Sequence, residues 1–259
     1  MKIDFVTLSP YFFALVPLAV LFLAVAIDRR RRKRLEKPPQ LEKLLRPPGY
    51  SLSIRLDEVF DKIIFESFMA SGLAVFAGAS AICVGLFWAN HVSPVVLLVS
   101  VLIFAASAGL VVSAVLRAFR RVCEAENIRL GLRGEQAVAE ALGEAADSGF
   151  RAFHDLEDAK IGNIDHVAAG SRGVFLIETK ARRRRLSRSG QPEHEVVFNG
   201  ESLQFPSGIN DAHSIQQAKI NAKWLSNYLG KKTGEPVRVE PLVVLPGWFV
   251  RWPQKEIFQ

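Results

Sequence analysis

The sequence predicts an all-α membrane anchor of three transmembrane helices followed by a mixed α/β domain, a central sheet flanked by helices. Three observations predict it. Three long apolar runs lie before residue 117; Lys and Arg cluster at the ends of those runs; and from Glu124 onward short apolar segments alternate between strand and helix periods.

A chain of 259 residues holds one ordinary domain beside an anchor, and 49% hydrophobic content together with 23% charge marks two regions of different character. The expected division is an anchor over 1–123 and a soluble domain over 124–259. The formal net charge of +7 fits nucleic acid or anionic lipid as a partner. Part of that excess is topological, because Lys and Arg collect on the cytoplasmic side of spans. Cys83 and Cys123 make neither a disulfide framework nor a zinc spacing, which suits a reducing compartment.

The first apolar run covers about 7–27, enough to cross a bilayer core that needs ~20 apolar residues. Arg29–Arg34 follows as a block of six cations that opposes translocation. The competing reading, a signal peptide cleaved near Ala24-Val25-Ala26, lacks a basic start, since the chain opens Met1-Lys2-Ile3-Asp4. Residues 28–66 form a polar cytoplasmic connector punctuated by Pro38-Pro39 and Pro47-Pro48; within it, Leu56–Phe65 has helical spacing and serves as an interfacial lead-in. Spans at about 67–89 and 94–116 are separated only by Asn90–Ser93, and Arg117, Arg120 and Arg121 close the hairpin. Both charged boundaries give one topology, with the N-terminus outside and the C-terminal domain cytoplasmic, an integral protein of the inner or plasma membrane. Ala70, Ala74, Gly78, Ala81 and Gly85 form a small-residue stripe suited to close helix packing in lipid, within the bundle or between copies of the chain. No acid or base lies inside a span, so a transport path has no support.

In the soluble half, Leu132–Ala146 reads as a helix. Strands are expected at Phe150–Phe153, Ile164–Ala169 and Gly173–Thr179, with Gly170–Gly173 as a turn. Asn199-Gly200 sits between Glu195–Phe198 and Ser202–Phe205, a strong hairpin signal. Asp211–Leu229 carries an apolar stripe of Ile215, Ala218, Ala222, Leu225 and Leu229, and Val239–Leu245 reads as a last strand.

The third of these strands is continuously apolar over Val174–Ile177, as in a strand covered on both faces, and then presents Glu178 and Lys180 at its end. A period of two puts that pair on one face, and a hairpin brings Asp165 beside Glu178. Two carboxylates and a lysine in apolar surroundings are costly unless compensated, and a divalent cation with a taste for oxygen, Mg2+ or Mn2+, would offset the repulsion. Read singly, a Glu-x-Lys at a strand end is a solvated edge and Asp165 a turn residue. Glu135 makes the set less ordinary: Val138 and Leu142 follow it at the spacing of one helix face, so its carboxylate shares a buried face. Stabilising a helix N-terminus is its alternative role. His166 points opposite Asp165 and reads, like His154, as a hydrogen-bonded core histidine. Arg182, Arg183, Arg184, Arg185 and Arg188 stand beside the site, either to bind phosphates of nucleic acid or as a loop in solvent or against lipid head groups. Gln217 either meets the substrate or metal shell or closes a capping box with Ser214.

Gly131-Leu-Arg-Gly134-Glu135, Gly162-Asn-Ile-Asp165-His166, Gly173-Val-Phe-Leu-Ile-Glu178-Thr-Lys180 and Gln217 together resemble the nuclease-related domain family, NERD, of the PD-(D/E)xK nuclease superfamily, over about 124–250. The resemblance implies a restriction-endonuclease-like α/β fold and metal-dependent phosphodiester hydrolysis of DNA or RNA. It implies that Asp165 and Glu178 hold the metal, that Lys180 orients or activates water, and that Glu135 and Gln217 assist. This chain departs from the family pattern after Lys180, where Ala181 and a run of Arg stand in place of Asn and Gly, and again at its end, since Gln259 follows soon after Trp248-Phe-Val-Arg-Trp252, where the resemblance implies at least one more strand and so a shortened C-terminus. Two other readings stay open: a membrane-tethered module of the same fold that binds nucleic acid or protein without cutting, and a structural membrane protein whose domain has lost activity.

Overall fold

The structure, a computed structural model, describes residues 45–88, 94–158, 162–184 and 194–252. The chain divides into two compact units: one takes in 58–125, and the other joins 44–57 to 126–259.

The first unit is built on two long helices. α1 spans Tyr50–Trp88 and α2 spans Pro94–Glu144. Both are long and apolar enough to cross a membrane, and only 11% of the most apolar window of each is buried, unlike a core helix of a soluble protein. Two such helices are therefore described where the sequence predicts three spans; the run at 7–27 lies outside the described residues, as does the hairpin tip at 90–93. α1 starts well before the expected span, at Tyr50, so residues 50–66 of the polar connector are helical. Where the helices leave the apolar zone, Arg121 Nε lies 2.8 Å from the buried carboxylate of Glu66, and Arg117 Nε lies 3.9 Å from it. Ala77, Ser80, Ser107 and Ala114 are buried. The predicted stripe is not what this pair packs on: a Cβ added at Gly78 or Gly85 would meet nothing within 4 Å.

α2 also corrects the expected separate helix at Leu132–Ala146. Helix continues unbroken from the apolar zone to Glu144, because the charged stretch after Arg117 is rich in Arg, Glu and Leu, strong helix formers, and no Pro interrupts it. A 3-10 turn at Ala145–Ser148 ends it at Gly149, whose φ of 83° terminates the helix in the left-handed region.

In the second unit, β1 (Arg151–Asp158), β2 (Gly162–Gly170), β3 (Gly173–Thr179) and β7 (Val239–Val244) form a mixed sheet in the order β1-β2-β3-β7. The first two pairings are antiparallel and β3–β7 is parallel. The strand expected at Phe150–Phe153 thus extends to Asp158. A parallel neighbour needs a crossover, which α3 (His213–Thr233) supplies. Ala218, Ala222 and Leu225 of α3 pack on Ile164, Val167 and Leu176 of the sheet. Val138 of α2 packs with Ala168 and Ile177. β3 is therefore covered on both faces, as its apolar run requires, and each buried Leu or Ile contributes about 1.5–3 kcal/mol.

A second sheet has the order β6-β5-β4-β8, from Asn210–Asp211, Leu203–Gln204, Glu195–Phe198 and Phe249–Arg251. Its hairpin turns at Asn199-Gly200, where Asn199 Oδ1 accepts from the N–H groups of Glu201 at 3.0 Å and Ser202 at 2.8 Å, and Gly200 takes a φ of 98°. The Trp248–Trp252 segment itself holds β8, parallel to β4, and residues 253–259, where a further strand is expected, lie outside the described residues.

Candidate active site

The site is assembled where β2 and β3 pair. Their register runs through His166↔Ile177, and one step further Asp165 comes opposite Glu178. The N–H of Thr179 donates to Asp165 Oδ2 at 2.7 Å, fixing that carboxylate against the strand end. Lys180 Nζ lies 2.8 Å from Glu178 Oε1 and donates to Gln217 Oε1 at 3.3 Å. Asp165, Glu178, Lys180 and Gln217 are thus brought together, with Gln217 contributed by α3. Gln217 closes no capping box: Asp211 does that work, accepting from the Ser214 N–H at 3.0 Å and from its Oγ at 2.8 Å.

Glu135 reaches the same region from α2 and is 5% exposed. It lies deep inside the helix, so the alternative of stabilising a helix N-terminus does not hold. One residue earlier, Gly134 permits a close approach to the strand end: a Cβ there would stand 2.6 Å from Cβ of Ala181.

The electrostatics are unfavourable for so many acids. Burial, reinforced by Asp165, Asp155 and Glu178, pushes the Glu135 carboxyl up to about 8, against a hydrogen bond from the backbone of Gly49. Burial and then Glu178 push Asp165 up to about 7, against the Thr179 N–H and Lys180. Glu178 is 2% exposed, and its Oε2, like Oε2 of Glu135, is buried with no hydrogen-bond partner. Among the described residues, no three His, Cys, Asp or Glu side chains converge into a group that could hold a metal. Two carboxylates are nevertheless a usual protein share for Mg2+, which fills its remaining positions with water and substrate phosphate.

The arginines separate. Arg182 pairs with Asp211 and lies 4.7 Å from the ring centroid of Phe205, and its carbonyl accepts from Trp248 Nε1 at 3.3 Å. It ties the second sheet to the strand end. Arg183 is exposed and meets Glu126 at 3.1 Å; Arg184 is exposed as well. Arg185 and Arg188 lie outside the described residues. His166 is fully buried, with Nδ1 2.8 Å from Nδ1 of His154, so one ring donates and the other accepts. Burial, then the neighbouring ring, pushes His166 down to about 4.

Sequence reasoning missed Asp155, a 1% exposed acid inside β1. Its only local signal is an acid flanked by His154 and Leu156 in the middle of the strand.

A mixed sheet covered by helices, following a helical N-terminal region, fits an α/β nuclease-like fold. In agreement, NERD, the nuclease-related domain, matches residues 130–246. No curated protein and no solved structure matches the chain.

Proposed function

We propose that this domain is a divalent-cation-dependent phosphodiesterase for DNA or RNA, held at the cytoplasmic face of a membrane by the apolar helices. The observation that carries the reading is the meeting of Asp165, Glu178 and Lys180 at one strand end, where burial disfavours the Asp165 carboxylate and a buried Glu178 oxygen is left without a partner. Asp165 and Glu178 would hold Mg2+ or Mn2+; when bound, the cation neutralises phosphate charge and makes a coordinated water more acidic.

The chain's own residues do the rest. The Thr179 N–H keeps Asp165 oriented. Gln217 holds the Lys180 ammonium beside Glu178, where it can direct an attacking water or meet charge developing on phosphate. Glu135, raised to about 8, is poised near neutral pH to take or return a proton. Arg183 and Arg184, with Arg185 and Arg188, supply cations for the nucleic-acid backbone. The block Arg29–Arg34 and the cations after residue 116 support the cytoplasmic placement.

The test is cleavage of DNA and RNA by the full chain in detergent, with chelator, Mg2+ or Mn2+. Cleavage is expected only with a cation, and not in Asp165→Asn or Glu178→Gln. Binding without cleavage under every cation would replace this reading with the tethering one.

A further inference from the structure

Residues 44–57 precede the apolar part of α1, yet they belong to the compact unit that holds the site. Arg46 Nη1 donates to the Asp155 carboxylate at 3.3 Å and to Glu157 at 2.9 Å. The N–H of Ser51, in the first turn of α1, donates to Asp155 Oδ1 at 3.0 Å, and Asn163 Nδ2 donates to the same oxygen at 3.1 Å. The first N–H groups of a helix have no partner within it, and a carboxylate satisfies one while meeting the positive end of the dipole. Asp155 thus has both oxygens engaged, and it holds a φ of 52°, a left-handed conformation that Asp tolerates better than most side chains.

Gly49 makes the second connection. Its φ is 72°, and its backbone runs close beside the Glu135 carboxylate. A Cβ at this position would stand 2.2 Å from Cδ1 of Leu132 and 3.7 Å from Oε2 of Glu135. The left-handed φ favours glycine here, and any side chain would have to displace Leu132 beside the acid.

We propose that Arg46–Ser51 is a positioning segment of the nuclease-type site: Gly49 sets the Glu135 carboxylate, while Arg46 and Ser51 hold Asp155 next to the acid cluster. The unit that holds the site is then discontinuous, completed by residues that precede the apolar part of α1 and all of α2. The inference rests on the phosphodiesterase reading for its chemistry but not for its geometry.

The experiment uses the full chain in detergent and follows cleavage at saturating Mg2+, melting temperature, and hydrogen exchange of the amides at 131–139. Arg46→Ala and Gly49→Val should each lower cleavage about tenfold or more, the effect of a misplaced group. Both should speed exchange at 131–139 at temperatures where the variants are folded. Arg46→Lys should restore most of the cleavage. Ser53→Ala, which removes only a hydroxyl bonded to the Tyr50 carbonyl, should leave both unchanged. Should Gly49→Val fail to fold, the half-exposed Arg46 carries the test. Parental exchange and parental cleavage in Arg46→Ala would overturn the proposal, as would a loss of cleavage that merely tracks the unfolded fraction. If the parent cuts nothing with any divalent ion, the phosphodiesterase reading fails, and the exchange rates alone decide whether the segment positions Glu135.

Discussion

The Lys180 ammonium lies 2.8 Å from Oε1 of Glu178, two residues back on the same strand face, while the other oxygen of that carboxylate is buried without a partner. One side of Glu178 is thus satisfied by the chain, and the other is available to a cation. Lys180→Ala should separate the two roles. We expect cleavage to fall by about 100-fold or more, as for loss of a group acting on the reacting proton or charge, with Mg2+ binding retained. A calorimetric titration checks this; loss of Mg2+ binding in Lys180→Ala would mean that the lysine organises the metal site itself.

Glu135 and Asp165 predict how stability depends on pH. Their folded values, about 8 and about 7, exceed the ordinary carboxyl values of 4.5 and 3.8. A raised carboxyl contributes stability that is fully present below its unfolded value and is lost as pH rises through the folded one. The metal-free protein should therefore melt at progressively lower temperature from about pH 5 to pH 8, and saturating Mg2+ should flatten that limb. His166, held down at about 4, works on the acid side: stability is lost as pH falls from about 6.5 towards 4. Melts in chelator and in Mg2+ across this range are the measurement, and a flat metal-free curve between pH 5 and 8 would refute the assignment.

The arginines should divide by environment. Arg182→Ala removes an ion pair with Asp211 and a cation over Phe205, so it should cost stability of about 1 kcal/mol. Arg183 and Arg184 changed to Ser should leave the melting temperature in place, weaken binding at all sequences, and reduce the salt slope by roughly 1 for each phosphate no longer neutralised. Equal salt slopes in parent and variant would assign these side chains to solvent or lipid.

Gly134→Val tests the close approach of α2 to the strand end. The new side chain would collide with Ala181, next to Lys180, and overpacking of this kind costs about 1–3 kcal/mol. Cleavage should fall further than the fraction of folded protein does, as read by comparing activity with circular dichroism at one temperature.

Topology is a separate prediction from the charge distribution. A reporter fused after Gln259 should report a cytoplasmic location, and one inserted at His91 an exterior location. A C-terminus found outside would overturn the nucleic-acid reading together with the charge argument.

The core of the site is readable in sequence because its geometry is local. Asp165, Glu178 and Lys180 lie on neighbouring strands joined by one short turn, so strand period and hairpin register suffice to bring them together. The Asn199-Gly200 turn is readable for the same reason. Chain continuity is not: apolar periodicity breaks after Arg117, and pattern alone suggests two helices where good helix formers sustain one. Least readable is Asp155, whose partner Ser51 lies 104 positions away. Nothing in the stretch around Pro47-Pro48-Gly49 distinguishes a docked segment from a linker, and the reach of Gln217 to Lys180 instead of Ser214 depends on how α3 sits on the sheet.

The contact between Ser51 and Asp155 also imposes an order on biosynthesis. Residues 44–57 leave the ribosome first, but the strands that receive them follow only after both described apolar helices have been made. At ~5–20 residues per second, the early segment waits on the order of ten seconds for β1 and β2, and longer for β7. Insertion of the apolar helix pair into a membrane would therefore be free to precede closure of the unit that holds the candidate site, which stays incomplete until β7 has been made.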